Sequence, residues 1–375
     1  MGGRTPEHWM GVALEAARPH VGRTSPNPPV GCAIVVDDAV VATGAHEKAG
    51  APHAEVDALR KLGMRAEGAD LHVTLEPCNH TGRQPPCTDA LIAAGLRRVF
   101  IGVKDPHPLV NGAGIERLRG AGIEVIVGVE EDACRRLIRP FTRAVTQGLP
   151  EVTLKLAATL DGRIADTSGE QRWVSGEEAR LHGHGLRNAS DSILVGVGTV
   201  LADNPRLTTR LPDGREGRDP LRIVVDSRLR TPLDAHLVTA ARETPTVMFT
   251  CTGNEPGRML QLQEHGVELV EVSPNTAGRV DCESMLRELC ARGHHTLLCE
   301  GGGTLGAHLL RSRLVQRVAW YVAPRILGPP HVLALGEPVG VTGLDKPIAL
   351  AHVDVERFGD DVVIMGDVVY ADEEL

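Results

Sequence analysis

The chain is 375 residues long, which exceeds one ordinary domain and makes two the natural expectation. Its net charge is −9, no Lys/Arg cluster stands out and only 2% of residues are aromatic, which argues against the basic grooves and stacking aromatics of a nucleic-acid enzyme and favours a small-molecule substrate. No apolar run is long enough to span a bilayer, residues 1–9 lack a continuous signal-peptide core and the eight cysteines follow no disulfide-like pattern, so a cytoplasmic enzyme is expected.

The chain opens on an amphipathic helix from His8 to Arg18, and a loop, Pro26-Asn27-Pro28-Pro29, leads into a strand over Val30–Val36. Asp37-Asp38 predicts a turn, with Val40–Gly44 returning as the partner strand and His46 in the loop that follows. Pro52 suits a first helical turn, and Val56, Leu59 and Leu62 recur at helical spacing, which places His53 and Glu55 at a helix N-terminus. Leu71–Leu75 reads as a strand running into Cys78, and Pro86–Ile92 as a second helix start, where unpaired N–H groups favour a thiolate at Cys87. Arg98–Val103 and Ile123–Gly128 are strands, the latter following a glycine-rich segment from Asn111 to Gly122. A helix over Glu130–Gln147 ends at Gly148-Leu149-Pro150, which divides the chain into residues 1–148 and 149–375 with a short linker.

One histidine and two cysteines, His53, Cys78 and Cys87, are the ligand set of an open zinc site whose fourth position is left to water. Glu55, two residues beyond the histidine, is placed to move that water's proton. Singly, a buried histidine and two core cysteines are common. Together, His-x-Glu followed by Pro-Cys and a second Cys is the signature of zinc deaminases, in which activated water attacks an amidine-like carbon.

The second half also alternates strand and helix, with strands at Val152–Ala157, Ser192–Gly198, Leu221–Asp226, Thr246–Thr250, Val267–Val272, Thr296–Glu300, Arg317–Val322 and Asp361–Val369. Its strongest chemical feature is Glu300-Gly301-Gly302-Gly303-Thr304-Leu305-Gly306, between a strand and a helix predicted over Ala307–Arg313. Such a turn either cradles a phosphate or is a plain tight turn, and the acid at its entrance points toward the crevice where α/β sheets bind ligands. The Gly196–Pro205 stretch and Leu160–Ala165 point the same way. Lys155 is by pattern either an edge lysine or a site residue, and Trp173 either core or ligand wall.

These motifs, in this order, resemble the bifunctional riboflavin-biosynthesis deaminase/reductases nearly end to end. In the first half the resemblance is carried by Pro26–Cys32, His53-Ala54-Glu55 and Glu76-Pro77-Cys78…Pro86-Cys87, whose eight-residue spacing departs from the Cys-x-x-Cys of nucleic-acid deaminases. In the second it is carried by Leu154–Ala157…Leu160–Arg163, Trp173-Val174-Ser175, Gly196–Asp203 and Glu300–Gly303. The resemblance implies an α/β protein with an N-terminal cytidine-deaminase-like three-layer domain and a C-terminal dihydrofolate-reductase-like domain. It implies a diaminopyrimidinone ribosylamine 5′-phosphate substrate, deaminated at the zinc site and then reduced from ribosyl to ribityl with NADPH, in a homo-oligomer. Asn27, His46, Asp105 and Asn111 would contact substrate in the deaminase, although His107 stands where the family's substrate loop has Asn. In the reductase Lys155 and Glu300 would position or protonate substrate, with Ser175, Arg187, Leu207 and Arg210 lining its site and the two arginines meeting its phosphate. Ala157, Trp173, Thr199, Asp203, Gly302, Gly303, Thr304, Leu305 and Gly306 would hold the cofactor. Ser227 and Arg228, following a strand end, would read its 2′-phosphate or are surface-loop residues. Rival readings are a related pyrimidine or pterin enzyme of secondary metabolism, a nucleic-acid deaminase with a binding domain, and an inactive scaffold, the last disfavoured by the intact zinc set and Glu55.

Overall fold

The computed structural model describes residues 4–80, 85–107, 110–165, 174–212, 217–328, 332–333 and 347–371, which leaves Trp173 outside them. The chain divides after Leu149 into two units, each built on its own sheet.

In the first unit α1 (Pro6–Ala17) precedes β1 (Gly31–Val36) and β2 (Ala39–Ala45). Then come α2 (Ala54–Lys61), β3 (Asp70–Leu75), α3 (Cys87–Ala93), β4 (Arg98–Val103), α4 (Ala113–Gly120), β5 (Glu124–Val127) and α5 (Glu131–Gln147). The sheet order is β2-β1-β3-β4-β5, antiparallel from β2 to β3 and parallel from β3 to β5. Asp37 and Asp38 make the β1–β2 turn with φ of 48° and 62°, the left-handed pair that matches a tight two-residue hairpin to right-twisted strands.

Strand alternation sends Cys32, Ile34, Leu71, Val73, Val99 and Ile101 to one face, covered by Ala58 and Leu59 of α2, Leu91 of α3, and Ile115 and Leu118 of α4. Ala33 and Phe100 face the other way, under Met10 and Ala13 of α1 and Cys134 and Ile138 of α5. The result is three layers. Gly44 lets α2 settle directly on β2, because a Cβ there would meet the Ala54 carbonyl oxygen at 2.1 Å. The glycine-rich stretch 111–122 contains α4, a helix its composition does not suggest. Gly112 (φ 97°) sits at the cap and Gly122 (φ 86°) beyond the end, so those glycines bound the helix rather than interrupt it.

The second unit runs β6 (Glu151–Thr159), β7 (Arg163–Ala165), α6 (Glu177–Asn188), β8 (Ser192–Gly196), α7 (Val197–Asp203), β9 (Leu221–Val225), α8 (His236–Thr239), β10 (Thr246–Cys251), α9 (Pro256–Glu264) and β11 (Glu268–Val272). It continues with α10 (Cys282–Ala291), β12 (Thr296–Cys299), α11 (Gly303–Arg311), β13 (Arg317–Ala323), β14 (Val332–Leu333), β15 (Ala349–Phe358) and β16 (Asp361–Val369). Nine strands form one sheet in the order β11-β10-β9-β8-β12-β6-β13-β16-β15, parallel from β11 to β13 and antiparallel beyond.

Two boundaries depart from expectation, and both concern helix starts. The loop predicted over Glu300–Gly306 ends at Gly302, because α11 begins at Gly303 and takes Thr304, Leu305 and Gly306 into its first turn. Gly303 and Gly306 are buried there, although a glycine in a helix interior costs roughly 1 kcal/mol. The strand predicted to Gly198 ends at Gly196, and α7 takes up Gly198, Thr199 and Asp203. Register then fixes the chemistry. Cys299 pairs with both Leu154 and Leu194, so Glu300 emerges between β6 and β8, level with Lys155. Among the described residues no helix is long and apolar enough to cross a membrane.

Candidate active sites

In the first unit His53 caps α2 in extended backbone, Cys78 follows β3, and Cys87 is the first residue of α3. Their donor atoms lie within 4.8 Å of one another, the one such three-residue group of His, Cys or carboxylates among the described residues. His53 Nδ1 is 3.1 Å from Cys87 Sγ and 3.4 Å from Cys78 Sγ, while the Cys87 backbone N–H donates to Cys78 Sγ at 3.4 Å. Hydrogen bonds from Cys87 and His53 pull the Cys78 pKa far below that of an ordinary thiol, and Cys87, the donor of that pair, is pushed up. One nitrogen and two sulfurs, one already disposed to be a thiolate, fit zinc.

Glu55 is 3% exposed on the first turn of α2, and burial raises its pKa to about 7 against the opposing pull of His53. His46 is equally withdrawn (2% exposed) and stands edge-on to His53 with ring centroids 5.5 Å apart. Its Nδ1 is 3.0 Å from the Pro52 carbonyl oxygen, which assigns the proton to Nδ1, and its Nε2 then accepts from Asn27 Nδ2 at 3.1 Å. Asp105 and Asn111 lie apart from these groups in sequence, on the two flanks of the β4–α4 connection. The carboxyl of Asp105 is raised by burial and accepts the His107 N–H at 2.8 Å, and Asn111 is exposed at φ 30°. Glu76, which the motif contains but to which the sequence assigns no task, is buried beside them and receives the amides of Asp105 and Gly112, each at 3.1 Å. Its partners are distant in sequence, so only the fold reveals it.

In the second unit Lys155 is half-buried on a central strand, which excludes the edge-lysine reading. Burial lowers its pKa, Glu300 opposes that shift and Arg187 adds to it. Arg187, expected at the substrate phosphate, grips Glu300 in a two-pronged ion pair, Nε to Oε1 at 2.7 Å and Nη2 to Oε2 at 2.8 Å, while Nη1 donates to the Thr208 carbonyl at 2.9 Å. Burial would raise Glu300, but Arg187 and Lys155 override it and hold the carboxyl at about 2, so Glu300 is a fixed anion and not a proton donor. Arg210 is exposed beside this pair, with Nη1 3.3 Å from Thr208 Oγ1 and Nη2 3.2 Å from His184 Nε2. His184 is brought to about 4 by burial and by both arginines, so it is neutral near pH 7.

Three residues here escaped the sequence: His182, His184 and Tyr321. The Tyr321 ring lies 5.1 Å from Lys155 Nζ, its hydroxyl is 2.8 Å from His182 Nδ1, and His182 stacks on Phe358. Two histidines flanking a glycine on α6, and one of only two tyrosines in the chain, were the available signals.

Thr199 and Gly302 meet, the Gly302 N–H donating to Thr199 Oγ1 at 3.1 Å at the ends of the adjacent strands β8 and β12. Gly302 caps α11 without a side chain, and since the Leu305 and Gly306 N–H groups donate to its carbonyl, the N–H groups of Gly303 and Thr304 are the ones the helix start offers an incoming anion. Ala157 shares a strand face with Lys155 and packs against Ala319 and Tyr321. Asp203 is exposed at the far end of α7, and Ser175 is buried, its carbonyl taken by Arg180. The Leu207 side chain lies in the core with Val195, Val200 and Val224, so its backbone, at φ 57°, is the part that could meet a ligand. Ser227 Oγ accepts the Val280 N–H at 3.0 Å and Arg228 is exposed, both after β9, two strands from β12.

Family models match both halves: the cytidine and deoxycytidylate deaminase zinc-binding region over residues 4–103, and the RibD C-terminal domain over residues 150–364. The chain is 39% identical over 358 residues to riboflavin biosynthesis protein RibD of Aquifex aeolicus, covering 96% of this chain and 97% of that one. It is 40% identical over 335 residues to RibD of Escherichia coli K12, covering 86% and 88%. Among solved structures it resembles Acinetobacter baumannii RibD with a TM-score of 0.85 at 34% identity, covering 97% of this chain and 99% of that one. A diaminohydroxyphosphoribosylaminopyrimidine deaminase/5-amino-6-(5-phosphoribosylamino)uracil reductase from Thermotoga maritima gives a TM-score of 0.82 at the same identity and coverage.

Proposed function

The chain belongs to the RibD family and is a deaminase and reductase of riboflavin biosynthesis, and on that premise we propose that it acts on a diaminopyrimidinone ribosylamine 5′-phosphate, first removing a ring amino group and then reducing the ribosyl group with NADPH. The observation that carries this reading is the pairing, in one chain related end to end to RibD proteins, of a His53–Cys78–Cys87 donor set beside buried Glu55 with a Lys155–Glu300–Arg187 cluster at a parallel-sheet end. End-to-end likeness to RibD proteins does not favour the nucleic-acid or secondary-metabolism alternatives.

In the deaminase His53 Nδ1, Cys78 Sγ and Cys87 Sγ would hold zinc, which when bound supplies Lewis-acid activation of water. Glu55, poised by burial at about 7, both accepts and returns a proton near neutrality. It takes the proton of the attacking water and delivers protons to the ring nitrogen and the departing amine, so that water and a C–NH2 group become C=O and ammonia. His46 fixes Asn27 through its accepting Nε2, which leaves Asn27 Oδ1 to accept from a ring amino group.

In the reductase the α11 start, with Thr199 and Gly302, would receive NADPH, which when bound supplies hydride to the anomeric carbon of an open-chain imine. The Lys155 ammonium, oriented by ionised Glu300, holds the substrate and yields the proton the imine nitrogen needs. Arg210 is left for the phosphate, since Arg187 is engaged by Glu300. We also propose a homo-oligomer, as the family resemblance implies, in a reducing compartment, consistent with eight cysteines whose spacing follows no disulfide-like pattern.

Incubating zinc-loaded protein with the pyrimidine, with and without NADPH, and following products by mass spectrometry tests the reading. Ammonia loss without NADPH and a ribityl product only with it are expected. An unchanged substrate would overturn the assignment.

A further inference from the structure

We infer that Glu76 is a positioning residue of the deaminase, holding both flanks of the β4–α4 connection against the segment that carries Cys78 and thereby setting substrate affinity. The inference rests on the deaminase reading above and concerns a residue to which that reading gives no task. Glu76 directly follows β3, two residues before Cys78, and is 3% exposed. Four backbone amides converge on its carboxylate. Oε2 accepts from Asp105 and Gly112, each at 3.1 Å, and Oε1 accepts from Gly114 at 2.9 Å and Ile115 at 3.4 Å. Gly114 and Ile115 lie in the first turn of α4, so an anion is favoured there by the helix N-terminus as well.

Two further contacts tie the same pieces together. Asn79, on the other side of Cys78, accepts from Thr88 Oγ1 at 3.0 Å and donates to the Ala113 carbonyl at 3.4 Å. Between them, Pro77 lies against α4 so closely that a Cβ on Gly114 would meet its carbonyl oxygen at 2.1 Å. Residues 76, 77 and 79 therefore bracket the ligand Cys78, and all reach the elements that carry Asp105 and Asn111. The carboxylate supplies acceptors on both oxygens. A glutamine of the same shape turns one oxygen into a donor facing donors, so it breaks two of the four bonds without emptying the site.

The test compares Glu76→Gln and Gly114→Ala with the unaltered full-length, zinc-loaded protein. The readouts are zinc content, kcat and KM of deamination, NADPH oxidation by the second half, and amide hydrogen exchange over 104–116. Glu76→Gln is expected to raise KM for the pyrimidine on the order of tenfold, with kcat and zinc content within about twofold. Reduction stays unchanged, and the amides of Asp105, Gly112, Gly114 and Ile115 exchange faster. Gly114→Ala, which leaves the carboxylate in place, shifts KM and exchange in the same direction. Unchanged KM in both variants, or loss of zinc in place of loss of affinity, overturns the inference. Should the unaltered protein fail to deaminate the pyrimidine, the substrate reading falls alone. The exchange data then decide: unaltered protection in Glu76→Gln overturns the clasp, and faster exchange upholds it.

Discussion

Glu55 and Glu300 are both carboxylates withdrawn from water, yet burial lifts one to about 7 while Arg187 and Lys155 hold the other at about 2. The difference lies in what each finds on arrival. Glu55 shares its site with a histidine and two sulfurs that a metal claims, so nothing fixes its charge and it is free to carry protons. Glu300 meets a guanidinium that matches both its oxygens, so its charge is permanent and useful only for orientation. The same side chain thus becomes a proton carrier in one unit and a strut in the other, which is the general way that environment assigns roles to paired titratable groups.

Exchanging charge for shape at each acid breaks this comparison most sharply. Glu55→Gln is expected to lower deamination by about 10²–10⁴-fold, the range for a lost general acid–base, while zinc stays bound and reduction of the deaminated intermediate proceeds. Retention of more than roughly a tenth of the deaminase rate would show that another group moves the proton. Glu300→Gln is expected to lower reductase kcat/KM on the order of a hundredfold and to destabilise the second unit by about 3 kcal/mol, because Arg187 is left mostly buried without its counter-charge. Urea-dependent loss of NADPH oxidation, measured against the unaltered protein, checks it. An unshifted midpoint would mean that water satisfies Arg187 instead.

The two sites also differ in how far the sequence exposes them. His53 and Cys87 are 34 residues apart and sit at helix starts that proline and apolar spacing announce, so the zinc set, Glu55 and their strands are legible as a motif. Arg187 and Glu300 are 113 residues apart, and Tyr321 and His182 are 139 apart. The register of β6 with β12 and β13 sets Glu300 and Tyr321 beside Lys155, the placement of α6 brings Arg187 and His182 to them, and no local pattern encodes either. For the same reason the pairing of Arg187 with Glu300 has no signature in the sequence. The glycine segments misled in another way. At Gly112 and Gly303 glycine marks a helix beginning, and composition alone does not distinguish a cap from a loop.

A smaller effect tests whether the deaminase site depends on close packing alone. Gly44→Ala would drive a methyl group into the Ala54 carbonyl at 2.1 Å and the Ala58 amide at 2.6 Å, so α2 must rise from β2 and take His53 with it. Overpacking of this kind costs about 1–3 kcal/mol, and zinc affinity is expected to fall roughly tenfold by chelator competition. Unaltered affinity would mean that the α2 start is held by its ligands and not by β2.

The smallest expected effect is an absence of change. Glu300 stays ionised above about 2 and His184 stays neutral above about 4, so neither alters charge near neutrality. Lys155 must keep its proton to act, and burial lowers its pKa, so activity is lost as pH rises through that lowered value, earlier than an unperturbed lysine would lose it. Reductase kcat should therefore show no acidic limb near neutrality and an alkaline limb as its only strong feature. Lys155→Arg, which carries a charge that does not titrate there, should flatten that limb in whatever activity remains. An acidic limb near neutrality in the unaltered reductase would instead place a titrating group beside the substrate, and His182, joined to Tyr321 over Lys155, would be the residue to replace next.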